Sequence, residues 1–168
     1  MIQESPSVYN NQRKHIDWLP ANQFREHTPQ KNKTNHLPTR VLLADDSGEM
    51  RVMVSAVLRQ QGYDVTEVAD GHQLVEILAT NLLRKPDDEA GFDMILSDIR
   101  MPGFSGLDVL ASLHMAGWHL PVILMTAFGS DETRYEADYY GASYFLKKPF
   151  RLEELIEAVY AVAPPRNT

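Results

Sequence analysis

RVLLADDSGEM, residues 40–50, decides the fold. Arg40–Ala44 is a short apolar run without polar alternation, the pattern of a strand buried on both faces of a parallel sheet. Two acids, Asp45 and Asp46, end the run. From Ser47 a helical period opens, with Met50, Met53, Val54, Val57 and Leu58 on one face. Gly62 stands where a helix-ending glycine belongs. A buried strand, a polar turn and an amphipathic helix make one β–α unit.

Working outward, the unit recurs. DVTEVA (64–69) reads as a second strand, and Leu74, Val75, Ile77, Leu78 and Leu82 as a second helix. RKPDDEAG (84–91) is a polar loop. DMILSD (93–98) is a third strand, followed by a helix carrying Leu107, Leu110, Ala111 and Leu113. PVILMT (121–126) is a fourth strand, and 130–140 a weaker helix rich in Asp, Glu and Tyr. YFLK (144–147) is a fifth strand, and Leu152, Leu155, Ile156, Val159 and Tyr160 mark an amphipathic fifth helix. Five β–α units with short connections predict an α/β fold: an open parallel sheet with helices on both faces.

Composition agrees and excludes several classes. At 168 residues, 43% hydrophobic and 23% charged, most of the chain is expected to fold as one domain. With no cysteine, a disulfide scaffold, a thiolate zinc site and a thiol nucleophile are excluded. No apolar run reaches the roughly 20 residues of a membrane span, and MIQESPSVYNNQRK lacks a signal peptide's apolar core. A cytoplasmic protein without membrane insertion is predicted.

The net charge of −7 is unevenly spread. Residues 1–38 hold five Lys/Arg against three Asp/Glu, and 39–168 hold eleven against twenty. An acidic globule repels phosphate backbones, so direct nucleic-acid binding is not expected. Four prolines, nine Asn/Gln and no sustained apolar period make 1–38 read as a disordered or weakly ordered tail. Ile16, Trp18, Leu19 and Phe24 cluster within it. They are either scattered aromatics or a segment that folds on a partner or docks on the domain. The domain is predicted over 39–163, and 164–168 as a C-terminal tail.

The polar residues that need explaining share one place. Asp45 and Asp46 follow strand one, Asp98 ends strand three, Thr126 ends strand four and Lys148 follows strand five. In an open parallel sheet all these points lie on the carboxyl edge, where ligands bind. Singly each has a plain reading. Asp46 with Glu49 fits a helix-capping pair, Thr126 fits a turn hydroxyl, and Met101-Pro102-Gly103 fits a turn. Together they permit specific chemistry. Clustered carboxylates repel, and a divalent cation with oxygen preference, Mg²⁺, relieves the repulsion. A lysine ammonium and a threonine hydroxyl suit phosphoryl oxygens, and a carboxylate can carry phosphate covalently.

With these residues in view, the chain resembles the receiver domain of two-component response regulators over residues 40–163. The segments carrying the resemblance are LLADDS (42–47), ILSDIRMPGFSGLDVL (95–110), VILMTAF (122–128) and GASYFLKKPF (141–150). The resemblance implies a doubly wound, flavodoxin-like, five-stranded sheet of order 2-1-3-4-5 flanked by five helices. It implies Asp98 as phosphoacceptor and Asp46 as a direct Mg²⁺ ligand, with Asp45 acting mainly through water. The backbone carbonyl of Arg100 would join the metal shell, and Thr126 and Lys148 would bind phosphoryl oxygens. Lys148 is chosen over Lys147 because the family lysine directly precedes the proline, and that Lys–Pro peptide is usually cis in the family.

Thr126 and Phe145 are implied as the switch pair. The position of Phe145 also takes Tyr in the family, but Phe cannot hydrogen-bond, so switching here would rest on packing. Ala127 leaves access for donors and water, and Arg100 and Phe128 would flank the entrance and tune phosphate lifetime. The 84–91 loop is longer than usual for the family. Implied partners are a sensor histidine kinase or a histidine phosphotransfer protein and a downstream protein target. A homodimer surface is implied on the helix 4–strand 5–helix 5 face. With only APPRNT after Val162, a single-domain regulator acting by protein contact is predicted, not an enzyme acting on other molecules.

Three other readings compete. A haloacid-dehalogenase-like phosphatase wants Asp-x-Asp after strand one, where this chain has Asp45-Asp46-Ser47. A flavin or nucleotide carrier wants a Gly/Ser/Thr-rich loop there, and ADDSGEM is acidic. A receiver that works as a scaffold without phosphorylation would keep the fold and not the chemistry.

Overall fold

The structure is a computed structural model and describes residues 37–82, 91–127 and 129–166. The chain runs β1 (Arg40–Ala44), α1 (Gly48–Gln60), β2 (Asp64–Val68), α2 (Gly71–Leu82), β3 (Met94–Asp98), α3 (Gly106–Met115), β4 (Val122–Thr126), α4 (Asp131–Tyr139), β5 (Tyr144–Lys147) and α5 (Leu152–Val162). The five strands form one sheet of order β2-β1-β3-β4-β5, and every neighbouring pair is parallel. This is the flavodoxin-like topology that the resemblance implies.

Apolar side chains alternate between two cores, one on each face. Val41, Leu43, Met94, Leu96, Ile123, Met125 and Leu146 pack with Val54 and Leu58 of α1 and Leu155 and Val159 of α5. Leu42, Ala44, Ile95, Val122 and Leu124 pack with Leu74 and Leu78 of α2, Val109, Leu110 and Leu113 of α3, and Ala137 of α4. Burial on both faces explains why β1, β3 and β4 carry consecutive apolar residues in place of an alternating pattern.

The helix ends follow local chemistry. Ser47 caps α1 by accepting from the Met50 amide. Ser105 and Asp108 form a reciprocal capping box on α3, and Ser130 caps α4. Gly62, at φ +88°, ends α1 in the left-handed region that glycine tolerates. The Asp46–Glu49 capping reading is therefore corrected: the hydroxyl one residue on takes that role and leaves Asp46 to the sheet edge. Four face assignments also change. Met53, Val75, Leu152 and Tyr160 are exposed, at 39%, 36%, 38% and 57%, and lie outside both cores.

At the opposite edge, Thr39 Oγ1 donates to the Pro164 carbonyl and accepts from the Arg166 amide. Arg166 also pairs with Asp93. Residues 164–166 thus lie against the start of β1. The 1–36 segment, the 84–90 part of the long loop and Phe128 lie outside the described residues. Among the described residues no helix is long and apolar enough to cross a membrane.

Candidate functional site

Sheet register builds the site. Ala44 pairs with Ser97, so Asp45, the next residue on β1's side, falls opposite Asp98. Asp98 pairs with Met125, which sets Thr126 one step further along the edge. Thr126 pairs with Lys147, so Lys148 turns in beside them. The chain reverses direction across the sheet between β1 and β3, and the crevice at that reversal is where open α/β sheets bind ligands.

The carboxylates of Asp45, Asp46 and Asp98 offer oxygens that all lie within 4.8 Å of one another. Asp45 is fully buried, and both its oxygens are engaged. Oδ1 accepts from the Ser47 amide at 2.9 Å, and Oδ2 accepts from Lys148 Nζ at 2.6 Å. Lys148 Nζ also lies 3.3 Å from Asp98 Oδ2. Its own amide donates to the Thr126 carbonyl at 2.7 Å, and the Lys148–Pro149 peptide is cis. Lys147 is exposed. Asp46 is exposed at the mouth, and Thr126 is buried at the end of β4.

Burial holds the Asp98 carboxyl above the ordinary carboxylate value. The Lys148 ammonium pulls it down, Asp45 pushes it up, and hydrogen bonds from the Lys148 ammonium and the Arg100 amide draw it down again. The net direction is upward, because burial, with Asp45 adding to it, outweighs the pull of the lysine and the hydrogen bonds. With all groups ionised, three carboxylates against one ammonium leave an excess of two negative charges. The donor set is all oxygen. It fits a divalent hard cation such as Mg²⁺, which takes one or two carboxylates and keeps several waters.

The resemblance-derived residues come together as follows. Asp45, Asp46, Asp98 and Lys148 converge, with Thr126 beside them. Arg100 sits just beyond Asp98 and gives its amide to the Asp98 carboxylate. Ala127 is exposed at the rim. Phe145 is half-buried on β5. A Cβ placed on Gly129 would stand 3.0 Å from the Phe145 ring and 3.2 Å from the Thr126 methyl, so ring and methyl are neighbours.

Sequence reasoning missed several supports. Arg51 Nη1 donates to the Asp45 carbonyl at 2.6 Å. The Arg134 guanidinium lies 5.7 Å from the Phe145 ring centroid. Arg51 is one turn into α1 and shares its face with no apolar signal. Arg134 belongs to the weakly patterned α4. Neither stood out from the ordinary charged surface of a helix.

Comparison with known proteins fits this geometry. Residues 41–160 match the family described as the response regulator receiver domain. The sporulation initiation phosphotransferase F of Bacillus subtilis is 28% identical over 128 residues, covering 76% of this chain and 96% of that protein. The transcriptional regulatory protein PdtaR of Mycobacterium tuberculosis is 33% identical over 127 residues, covering 73% of this chain and 56% of that protein. The chain thus spans nearly all of the first relative and little more than half of the second. Among solved structures, the chemotaxis protein CheY4 of Vibrio cholerae superposes with a TM-score of 0.63 at 32% identity, over 74% of this chain and 98% of that one. A Francisella response regulator receiver domain gives 0.65 at 28% identity, over 74% and 95%. The fold, the converging edge residues and the family match agree, and the chain belongs to the receiver domain family of two-component response regulators.

Proposed function

We propose that Asp98 accepts a phosphoryl group from a phosphohistidine, and that the chain signals by protein contact once it is modified. The carrying observation is the cluster of Asp45, Asp46 and Asp98 with Lys148 held between two of them. An Asp98 oxygen attacks phosphorus in line. A P–O bond forms, the P–N bond to the donor imidazole breaks, and the imidazole leaves with the electron pair. Asp46, Asp98 and the Arg100 carbonyl would hold the Mg²⁺, with Asp45, whose oxygens meet the Ser47 amide and Lys148, acting mainly through water. Bound there, the ion would offset charge on the transferring oxygens.

Lys148 leaves its 2.6 Å contact with Asp45 to meet one phosphoryl oxygen, and the Thr126 hydroxyl meets another. Phe145, beside the Thr126 methyl, follows it inward, and the face of α4, β5 and α5 changes its partner preference. Ala127 leaves the approach open, and Arg100 with Phe128 would set how fast water removes the phosphate. The partners this implies are a sensor histidine kinase or histidine phosphotransfer protein upstream and a protein target downstream. The α4–β5–α5 face would serve a homodimer, and the cytoplasm is the compartment the reading calls for. The scaffold reading is not favoured: the site's charged residues converge with the spacing that phosphoryl transfer needs.

Donor identity is tested by mixing the chain with a histidine phosphotransfer domain carrying radiolabelled phosphate. The expected result is label moving to this chain with Mg²⁺ and staying on the donor with EDTA. Label that never moves, in a sample that binds Mg²⁺, would overturn the phosphohistidine step.

A further inference from the structure

The loop from β3 to α3 leaves Asp98 and crosses the top of the sheet before Ser105 caps the next helix. Its two ends are tied together by the Gly106 amide, which donates to the Ile99 carbonyl at 3.1 Å. Its crown is held by a different element, the first turn of α2. There the Gly71 amide donates to the Pro102 carbonyl at 3.0 Å. The His72 ring meets the Phe104 ring edge-on, with centroids 5.3 Å apart at 72°.

The approach at Gly71 is closer than any side chain permits. A Cβ there would stand 1.8 Å from the Phe104 carbonyl oxygen and 2.6 Å from its carbon and nitrogen. Gly103, at φ +82°, lies against His72 in turn, and a Cβ on it would stand 2.5 Å from His72 Cδ2. The Gly71 contact is backbone on backbone, so no flexible tip there can yield, whereas Gly103 meets the exposed His72 ring. No residue of α2 is among the three clustered aspartates.

The loop carries Arg100. Its amide donates to the Asp98 carboxylate, and its carbonyl belongs to the metal shell in the function proposed above, on which this inference rests. Mg²⁺ demands near-octahedral geometry at about 2.0–2.1 Å. A carbonyl on an irregular loop meets that demand only if the loop is braced. We infer that Gly71 and His72 are positioning residues, and that the first turn of α2 fixes the β3–α3 loop so that Arg100 presents its carbonyl and amide to the Mg²⁺ site. Gly71→Ala must push the Phe104 backbone away by more than an ångström, and the loop between Ile99 and Gly106 moves with it. His72→Ala removes the brace from the other side without adding a clash.

The test is Mg²⁺ affinity by titration calorimetry on the full chain, at a temperature where circular dichroism shows each protein fully folded. The Arg100 amide resonance is followed in parallel. Gly71→Ala should raise the Mg²⁺ dissociation constant on the order of tenfold, as loss of outer-shell support does at other metal sites. His72→Ala should raise it less, in the same direction, and both should displace the Arg100 resonance. With acetyl phosphate, half-maximal phosphorylation should need correspondingly more Mg²⁺, while the rate at saturating Mg²⁺ stays at the wild-type value. A merely structural role would lower the melting temperature and leave that split absent.

Folded Gly71→Ala with the wild-type dissociation constant would overturn the inference. Should Gly71→Ala not fold, an unchanged constant in His72→Ala overturns it equally. Wild type that binds no Mg²⁺ sinks the metal site itself and this brace with it, whereas wild type that binds beside variants that bind equally well sinks only the brace.

Discussion

Asp98 sits where folding and chemistry pull in opposite directions. Its folded-state pKa lies above the ordinary 3.8, chiefly because burial disfavours the charge. A carboxyl whose pKa rises on folding supports stability fully below its unfolded pKa, and that support is lost as pH rises through the folded value. At neutral pH the ionised Asp98 is therefore a standing cost to the fold, which the phosphoacceptor role proposed above would explain. In EDTA at pH 7, Asp98→Asn should melt above the wild type, and thermal scans at falling pH should show the difference closing below about pH 4. Equal melting temperatures at pH 7 would show that Lys148 already offsets the burial. At this scale the sequence was informative about identity and poor on support. Lys148, the lysine the resemblance implies, has its ammonium on Asp45. The role of Gly71 was invisible, because a close approach between a loop and a distant helix leaves no periodic signature.

Among the elements, α4 and β5 are the loosest part of the design. Ala137 is the one buried residue of α4, which is why its sequence pattern was weak. By contrast β1, β3 and β4 are almost wholly buried and were legible to within a residue or two of their ends. A helix held by so little packing can shift at low cost, which suits a face that changes partner. Phe145 has no hydroxyl to anchor it outside, yet packing is not its only restraint. Arg134 of α4 lies 5.7 Å from its ring centroid, a cation–π contact worth about 0.5–1 kcal/mol at an exposed site. A double-mutant cycle on unfolding free energy with Arg134→Ala and Phe145→Leu should give a coupling of about that size. A coupling of zero would mean that Arg134 plays no part in holding the ring.

At the largest scale, the described residues form two apolar layers around a sheet whose carboxyl edge gathers the polar residues. That division is what made the architecture readable. Runs buried on both faces announce parallel strands, and the same periodicity then forces five unusual residues onto one edge. What stayed unreadable was the geometry within that edge, since side-chain distances depend on register and not on composition. The central claim, phosphoryl acceptance at Asp98 in a Mg²⁺-dependent reaction, is a property of the intact chain. The most direct test is intact-mass spectrometry of wild type and Asp98→Asn after acetyl phosphate, each with Mg²⁺ and with EDTA. The prediction is one added phosphoryl group on the wild type with Mg²⁺, and none in the other three samples. A folded, Mg²⁺-binding wild type that gains no mass, or an Asp98→Asn protein that gains as much as the wild type, would contradict it.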